Sequence, residues 1–323
     1  MRIFMKIIFL LFILYNTIFA NDYPNKPIEL IVGLGEGGSA DRMTRNMVLF
    51  LEEELGVKLH VKNIKENVSL DAAKYVLNQK DDGYTLFSSA FSPYLLTAIL
   101  RDDTNFTLKD FEIINLQWFE YDLFLVNKDS KFKTILEILE YIKKHPKNLN
   151  VGVMNKSSSH ITFKLLLEKF NIPMQNINLK LFSGGRKARE SLINSEIDLL
   201  VIAGQGSEKY RKKIKPLAVI SKKRSKRWDA PTLNEALYET GVTMPIINGS
   251  IRGIAVSKKF KEKYPNRYRI LKNAIKKVLA KRKVQSSFKN KNIGYLWIGS
   301  KNSTKILEDS IKEFKKYNYL IKD

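Results

Sequence analysis

Strand and helix signals alternate along nearly the whole chain, and this alternation limits the fold more than any other feature. A strand followed by a helix and a second strand returns to its sheet in parallel, with the helix laid on one face. The first unit shows the pattern: an apolar strand at Ile28–Val32, a glycine-rich turn, a helix predicted over residues 40–55 and a strand over 59–61. Met43, Met47, Phe50 and Leu51 share one face of that helix, Ser39 reads as its N-cap and Gly56 as its stop. Further helices are predicted over 69–79, 159–170 and 187–194, with strands over 84–87, 150–153, 179–182, 198–202 and 216–220. Thr134 with Glu137, and Thr232 with Glu235, have capping-box spacing. The expected class is α/β, each unit a mainly parallel sheet flanked by helices.

A chain of 323 residues exceeds the size at which one core keeps growing, so two domains are expected. Strand-like stretches at 122–126 and 253–257 are candidates for two chain crossings. On that reading lobe 1 is residues 21–122 plus 253–323 and lobe 2 is residues 123–252, with hinges near 122–126 and 249–253. The N-terminus reads as an export signal over residues 1–20. Arg2 and Lys6 flank the start of a short apolar run from Ile7 to Tyr15, and Ile18 and Ala20 suit the positions before a cleavage site. The run is too short to span a bilayer. A periplasmic chain beginning at Asn21 is expected.

Composition removes several function classes. Without cysteine there are no disulfides, no thiol catalysis, no thiolate metal sites and no lipidated N-terminal cysteine. His60, His145 and His160 are far apart and in no metal-binding spacing, so neither metal nor cofactor is expected. The net charge of +23 raises a nucleic-acid or membrane-surface reading. Against it, the basic residues are spread over most helices, and an exported chain meets little nucleic acid, so no nucleic-acid partner is expected. The densest cluster, Lys222, Lys223, Arg224, Lys226 and Arg227, reads as a solvated loop or a docking patch.

Gly33, Gly35 and Gly38 spell GxGxxG between a strand and a helix, the context of a dinucleotide-binding fingerprint. The second strand, however, ends in Lys62 and Asn63 where a ribose-binding carboxylate belongs. What survives is the physics beneath the motif: glycines permit a close turn, and free N–H groups at the helix start can hold an anion. An enzyme would need a nucleophile, a base and an orienting group together. Ser157, Ser158 and Ser159 with His160 supply hydroxyls and an imidazole, but adjacency at a helix start does not bring them into reach, and no GxSxG elbow is present. No catalytic residue is assigned.

The segments Tyr23-Pro24-Asn25-Lys26-Pro27-Ile28, Gly37-Gly38-Ser39-Ala40-Asp41 with Arg45, Asp82-Gly83-Tyr84-Thr85-Leu86, Leu108-Lys109-Asp110-Phe111, Ser157-Ser158-Ser159-His160 and Asp229-Ala230-Pro231-Thr232 occur in one order and spacing. Together they resemble the Bug or TctC-like receptors of tripartite tricarboxylate transporters. The resemblance implies a two-lobed periplasmic binding protein fold, a small carboxylate or amino-acid ligand, a monomer without enzymatic activity, and membrane transporter subunits as partners. A receptor feeding a two-component sensor would share the same sequence. The resemblance places a carboxylate between Gly37, Gly38, Ser39, Ala40 and Asp41 of one lobe and Ser157, Ser158, Ser159 and His160 of the other. Ser89, Gly184, Arg186, Gln205 and Arg252 complete the candidate ligand-binding set.

The chain departs from the family pattern at four places. Glu36 stands where proline is common, and Lys65-Glu66-Asn67-Val68-Ser69 replaces a glycine-rich segment, putting close backbone approach there in doubt. Ser183 replaces a lysine, with Arg186 and Arg189 nearby. Ile251-Arg252 replaces an aromatic pair before Gly253, and an arginine next to an apolar strand is costly without an anionic partner.

Overall fold

The computed structural model describes residues 23–101 and 104–321; the export signal and the expected start at Asn21 lie outside the described residues. Its ten described strands form two five-stranded sheets. The first contains β1 (Ile28–Val32), β2 (Leu59–Asn63), β3 (Thr85–Ser92), β4 (Phe111–Phe119) and β10 (Ile251–Ser257), in the order β2-β1-β3-β10-β4. The second contains β5 (Asp122–Asn127), β6 (Asn150–Met154), β7 (Asn178–Phe182), β8 (Leu199–Ala203) and β9 (Ile214–Val219), in the order β7-β6-β8-β5-β9. Both are mixed sheets of one design. Three strands run parallel, and the fourth in order is antiparallel to both its neighbours.

That antiparallel strand is β10 in the first sheet and β5 in the second, which are the strands entered directly from the other sheet. The crossings therefore lie just before the stretches expected from sequence. Glu120 and Tyr121 make one crossing, and the coil ending at Ser250 makes the other. They run side by side, with Glu120 N–H donating to Ser250 O at 2.9 Å. A Cβ on Gly249 would stand 2.4 Å from Glu120 O, so only glycine allows this approach.

Each sheet is buried on both faces. Leu30, Leu86 and Ile254 face α1 (Ser39–Leu55), α9 (Pro265–Ala280) and α10 (Arg282–Asn290), while Ile31, Phe87 and Ala255 face the other way. The opposite face is covered by α2 (Leu70–Leu77), α3 (Tyr94–Arg101) and α11 (Gly299–Lys316). In the second sheet Leu123, Leu125 and Leu200 pack on α6 (Gly185–Ile193), and Phe124, Val126 and Val201 on the side of α4 (Ile135–Lys144) and α5 (Ser158–Lys169). Thus strands lacking polar alternation are the expected consequence of two covered faces. The short helices α7 (Leu233–Ala236) and α8 (Lys258–Lys263) complete the set among the described residues.

Thr232 and Glu235 form the expected capping box. Thr134 caps α4 through Glu137 N–H at 3.1 Å, but the Glu137 carboxylate accepts from Lys133 N–H instead of Thr134, so that box is half made. The Lys65–Ser69 departure does not prevent close approach: Asn67, Val68 and Ser69 take positive φ of 45°, 39° and 73°, and a Cβ on Gly33 would lie 2.9 Å from Ser69 Cα. Three successive non-glycine residues carry a conformation that costs L side chains energy. The basic loop is partly paired: Arg224 meets Glu235 at 2.9 Å and Arg227 meets the crossing residue Glu120 at 3.2 Å.

Candidate functional site

Three helix N-termini open on one cavity of about 680 Å³ between the two sheets: Gly37 to Ser39 of α1, Ser157 to Ser159 of α5, and Gly184 to Arg186 of α6. Each follows the C-terminal end of a parallel strand, β1, β6 and β7, where open α/β sheets hold ligands. The first N–H groups of a helix have no acceptor within it and form the positive end of its dipole. The caps of α1 and α6 are Gly38 and Gly184, which make no side-chain cap bond, leaving those donors for a ligand. Ser157 caps α5 by accepting from His160 N–H at 3.3 Å. Ser39 is not the cap expected from sequence. It is the first residue of α1, and its Oγ accepts from Arg252 Nε at 2.6 Å.

Ten of the residues expected at the site line the cavity. Gly37, Gly38 and Ser39 come from one side; Ser157, Ser158, Ser159, Gly184, Arg186 and Gln205 come from the other; Arg252 projects from β10. Ala40, Asp41, Ser89 and His160 lie behind its wall, fully or nearly buried. Asp41 braces the glycine turn, accepting from Gly37 N–H at 2.9 Å, Arg45 Nε at 2.9 Å and Asn63 Nδ2 at 3.0 Å. This explains why Asn63 ends β2 where a ribose-binding carboxylate would stand. Ser89 pairs with Ser69 hydroxyl to hydroxyl at 2.8 Å beneath Gly33. The His160 imidazole accepts from Lys156 N–H, and burial pushes it down to about 4, so it is neutral at physiological pH. None of the three serine hydroxyls bonds to that ring.

The cavity wall carries five basic side chains, Arg42, Arg186, Arg189, Lys209 and Arg252, against two acidic ones, Glu36 and Asp122. Their environments differ sharply. Arg186 is exposed and pairs with Glu190 at 3.3 Å, and Glu36 is exposed at the rim. Arg189 is 7% exposed, and burial lowers it to about 10. Its guanidinium donates to Ser207 Oγ, Gly185 O, Ala203 O and Gln205 O, tying the α6 turn to the loop after β8. Arg252 is 3% exposed and also lowered to about 10 by burial. Arg42, Tyr94, Asp122, Lys209 and Tyr210 were not singled out from sequence. Arg42, three residues after Ser39 on α1, was findable by helical spacing. Asp122 and Tyr94 carried no local signal, because only the crossing and the turn after β3 bring them to the cavity.

Asp122 begins β5, accepts from Ser158 Oγ, and is pushed by burial from 3.8 up to about 6. The folded chain holds this proton up to about pH 6, the unfolded chain only to about 3.8. The ionised carboxylate therefore costs stability above pH 6; that cost falls away as pH drops through 6 and is gone near 4. Asp122→Asn is expected to raise unfolding free energy at pH 8 by on the order of 2–3 kcal/mol, with the gap closing towards pH 4. Urea melts of both proteins from pH 4 to 8 would show it. A constant gap across that range would mean that Asp122 ionises normally.

The fold is thus two-lobed and α/β, with a basic, helix-capped cleft at the crossing. Residues 43–322 match the sequence model of the tripartite tricarboxylate transporter family receptor, TctC, and the chain belongs to that family. It is 27% identical over 220 residues to the UPF0065 protein in gbd 5'region of Cupriavidus necator, covering 67% of this chain and 66% of that one, just under two thirds of the relative's length. Its fold is similar to a TctC solute binding protein from Polaromonas, with a TM-score of 0.70, 25% identity and coverage of 93% and 99%. It is also similar to MatC from Rhodopseudomonas palustris with bound malate, with a TM-score of 0.72, 18% identity and coverage of 92% and 100%.

Proposed function

We propose that the chain is an exported periplasmic receptor that captures a small carboxylate, an organic acid or an amino acid, in the interlobe cleft. It passes the ligand to the membrane subunits of a tripartite tricarboxylate transporter, binding as a monomer and without turnover. The observation that carries this reading is the convergence of three helix N-termini, one from the first lobe and two from the second, on a cavity whose charged lining is mostly basic. A carboxylate there would receive backbone N–H groups and the dipoles of helices from both lobes, so its binding would favour closure. MatC, of similar fold, holds malate. The residue lobes 21–122 plus 253–323 and 123–252 would move about the paired crossings.

Thermal unfolding with a panel of mono- and dicarboxylic acids and acidic amino acids tests the reading. Ligand bound only by the folded chain stabilises it as RT ln(1 + [L]/Kd), roughly 2.7 kcal/mol at one hundred times Kd. At least one acid should raise the unfolding temperature by several degrees with no chemical change in the acid. No stabilisation by any of them, together with salt-sensitive nucleic-acid binding, would replace this reading with that of a basic surface binder.

A further inference from the structure

Arg252 is an almost fully buried cation without a counter-ion. Its Cζ lies 4.4 Å over the Trp118 ring and its Nε is spent on Ser39, but Nη1 is buried with no partner. Among the described residues it makes no ion pair. The nearest acidic groups are otherwise engaged: Glu120 accepts from Trp118 Nε1 at 2.7 Å and Arg227 Nη1 at 3.2 Å, and Asp122 accepts from Ser158. Arg42, also lining the cavity, sits over the same Trp118 ring at 5.9 Å, so a second guanidinium repels the first. Two arginines gathered on one indole in the cavity wall, one of them without a counter-ion, leave positive charge for an anionic group to neutralise.

We infer that Arg252 is a second anion subsite of the same cleft, taking the distal carboxylate of a short-chain dicarboxylate whose first carboxylate lies at the helix N-termini. Ser39 joins the two subsites, since it begins α1 and also holds Arg252 Nε. They are therefore adjacent, and the diacid spanning them is short. The inference rests on the cleft being a carboxylate site.

Titration calorimetry on the full-length mature protein with matched acid pairs tests it: succinate against butyrate, glutarate against pentanoate and adipate against hexanoate. In at least one pair the diacid is expected to bind roughly 30-fold or more tightly than its monoacid. Arg252→Gln should remove that preference, bringing the diacid-to-monoacid ratio down to within about threefold. Equal binding within every pair, or a preference that survives Arg252→Gln in a variant with a wild-type melting profile, overturns the subsite and leaves the carboxylate receptor standing. The wild-type comparison stands even if the variant fails to fold. If no acid of either kind binds, the receptor reading and the subsite fall together.

Discussion

Arg189→Leu is expected to destabilise the chain by about 3 kcal/mol or more and to abolish ligand binding in whatever fraction remains folded. The guanidinium is buried, and its Nε, Nη1 and Nη2 reach four acceptors on two separate loops. Leucine fills part of the volume but leaves Gly185 O, Ala203 O, Gln205 O and Ser207 without their donor. Each such group costs about 1–3 kcal/mol when buried. Both loops line the cavity, so their loosening also displaces the N-terminus of α6. Arg189→Lys is the sharper variant, because it keeps the charge and loses the fork. A lysine cannot reproduce three nitrogens in one plane, and the variant should remain at least about 1.5 kcal/mol less stable than wild type in urea melts. If Arg189→Lys melted and bound like wild type, the guanidinium network would not be what holds the second-lobe half of the cleft.

The sequence pattern carried the parallel units well where one residue type did one job. β1 begins and ends where its apolar run does, Gly56 closes α1 in the left-handed conformation at φ 71°, and the Thr232 capping box forms as spaced. It failed at β4, whose run Phe111–Phe119 is interrupted by Glu112, Asn115 and Gln117. These polar groups are buried because distant partners satisfy them. Tyr268 and Ser300 donate to Glu112, Lys258 and Lys261 pair with it, and Asn115 and Gln117 hold the segment around Gly294 to Gly299. No window around β4 contains those partners. β3 runs to Ser92, well past the expected end at residue 87, because Ser88, Ser89 and Ser92 are buried polar residues rather than turn formers. Ser88 and Ser89 bond Thr44 and Ser69, and Ser92 donates to Asn248 O.

The site divides in the same way. Loops that announce themselves by glycine and serine at a strand-to-helix turn were readable, since the turn geometry needs those residues locally. Asp41, Ser89 and His160 share those motifs but brace the turns from behind, a distinction that depends on which way a side chain leaves its helix or strand. Arg252 was legible as a charge just before an apolar strand. Its neighbours Trp118, Glu120 and Asp122 were not, because they reach it only through the pairing of β10 with β4 and the crossing between β4 and β5.

Backbone amide exchange reads the cleft itself, because it is lined by main-chain donors that substitution cannot remove. Deuterium uptake should be followed with and without saturating malate, succinate, glutarate or adipate, using whichever acid most raises the unfolding temperature. Amides within the first turns of all three helices that have no acceptor in the chain, at residues 39–41, 158–159 and 185–187, should be unprotected in the free chain. The ligand should slow their exchange about tenfold or more, in segments from both lobes at once, as a carboxylate clasped between them requires. Protection confined to one lobe, or falling elsewhere on the surface while these three turns exchange unchanged, would mean that no carboxylate is clasped between the lobes.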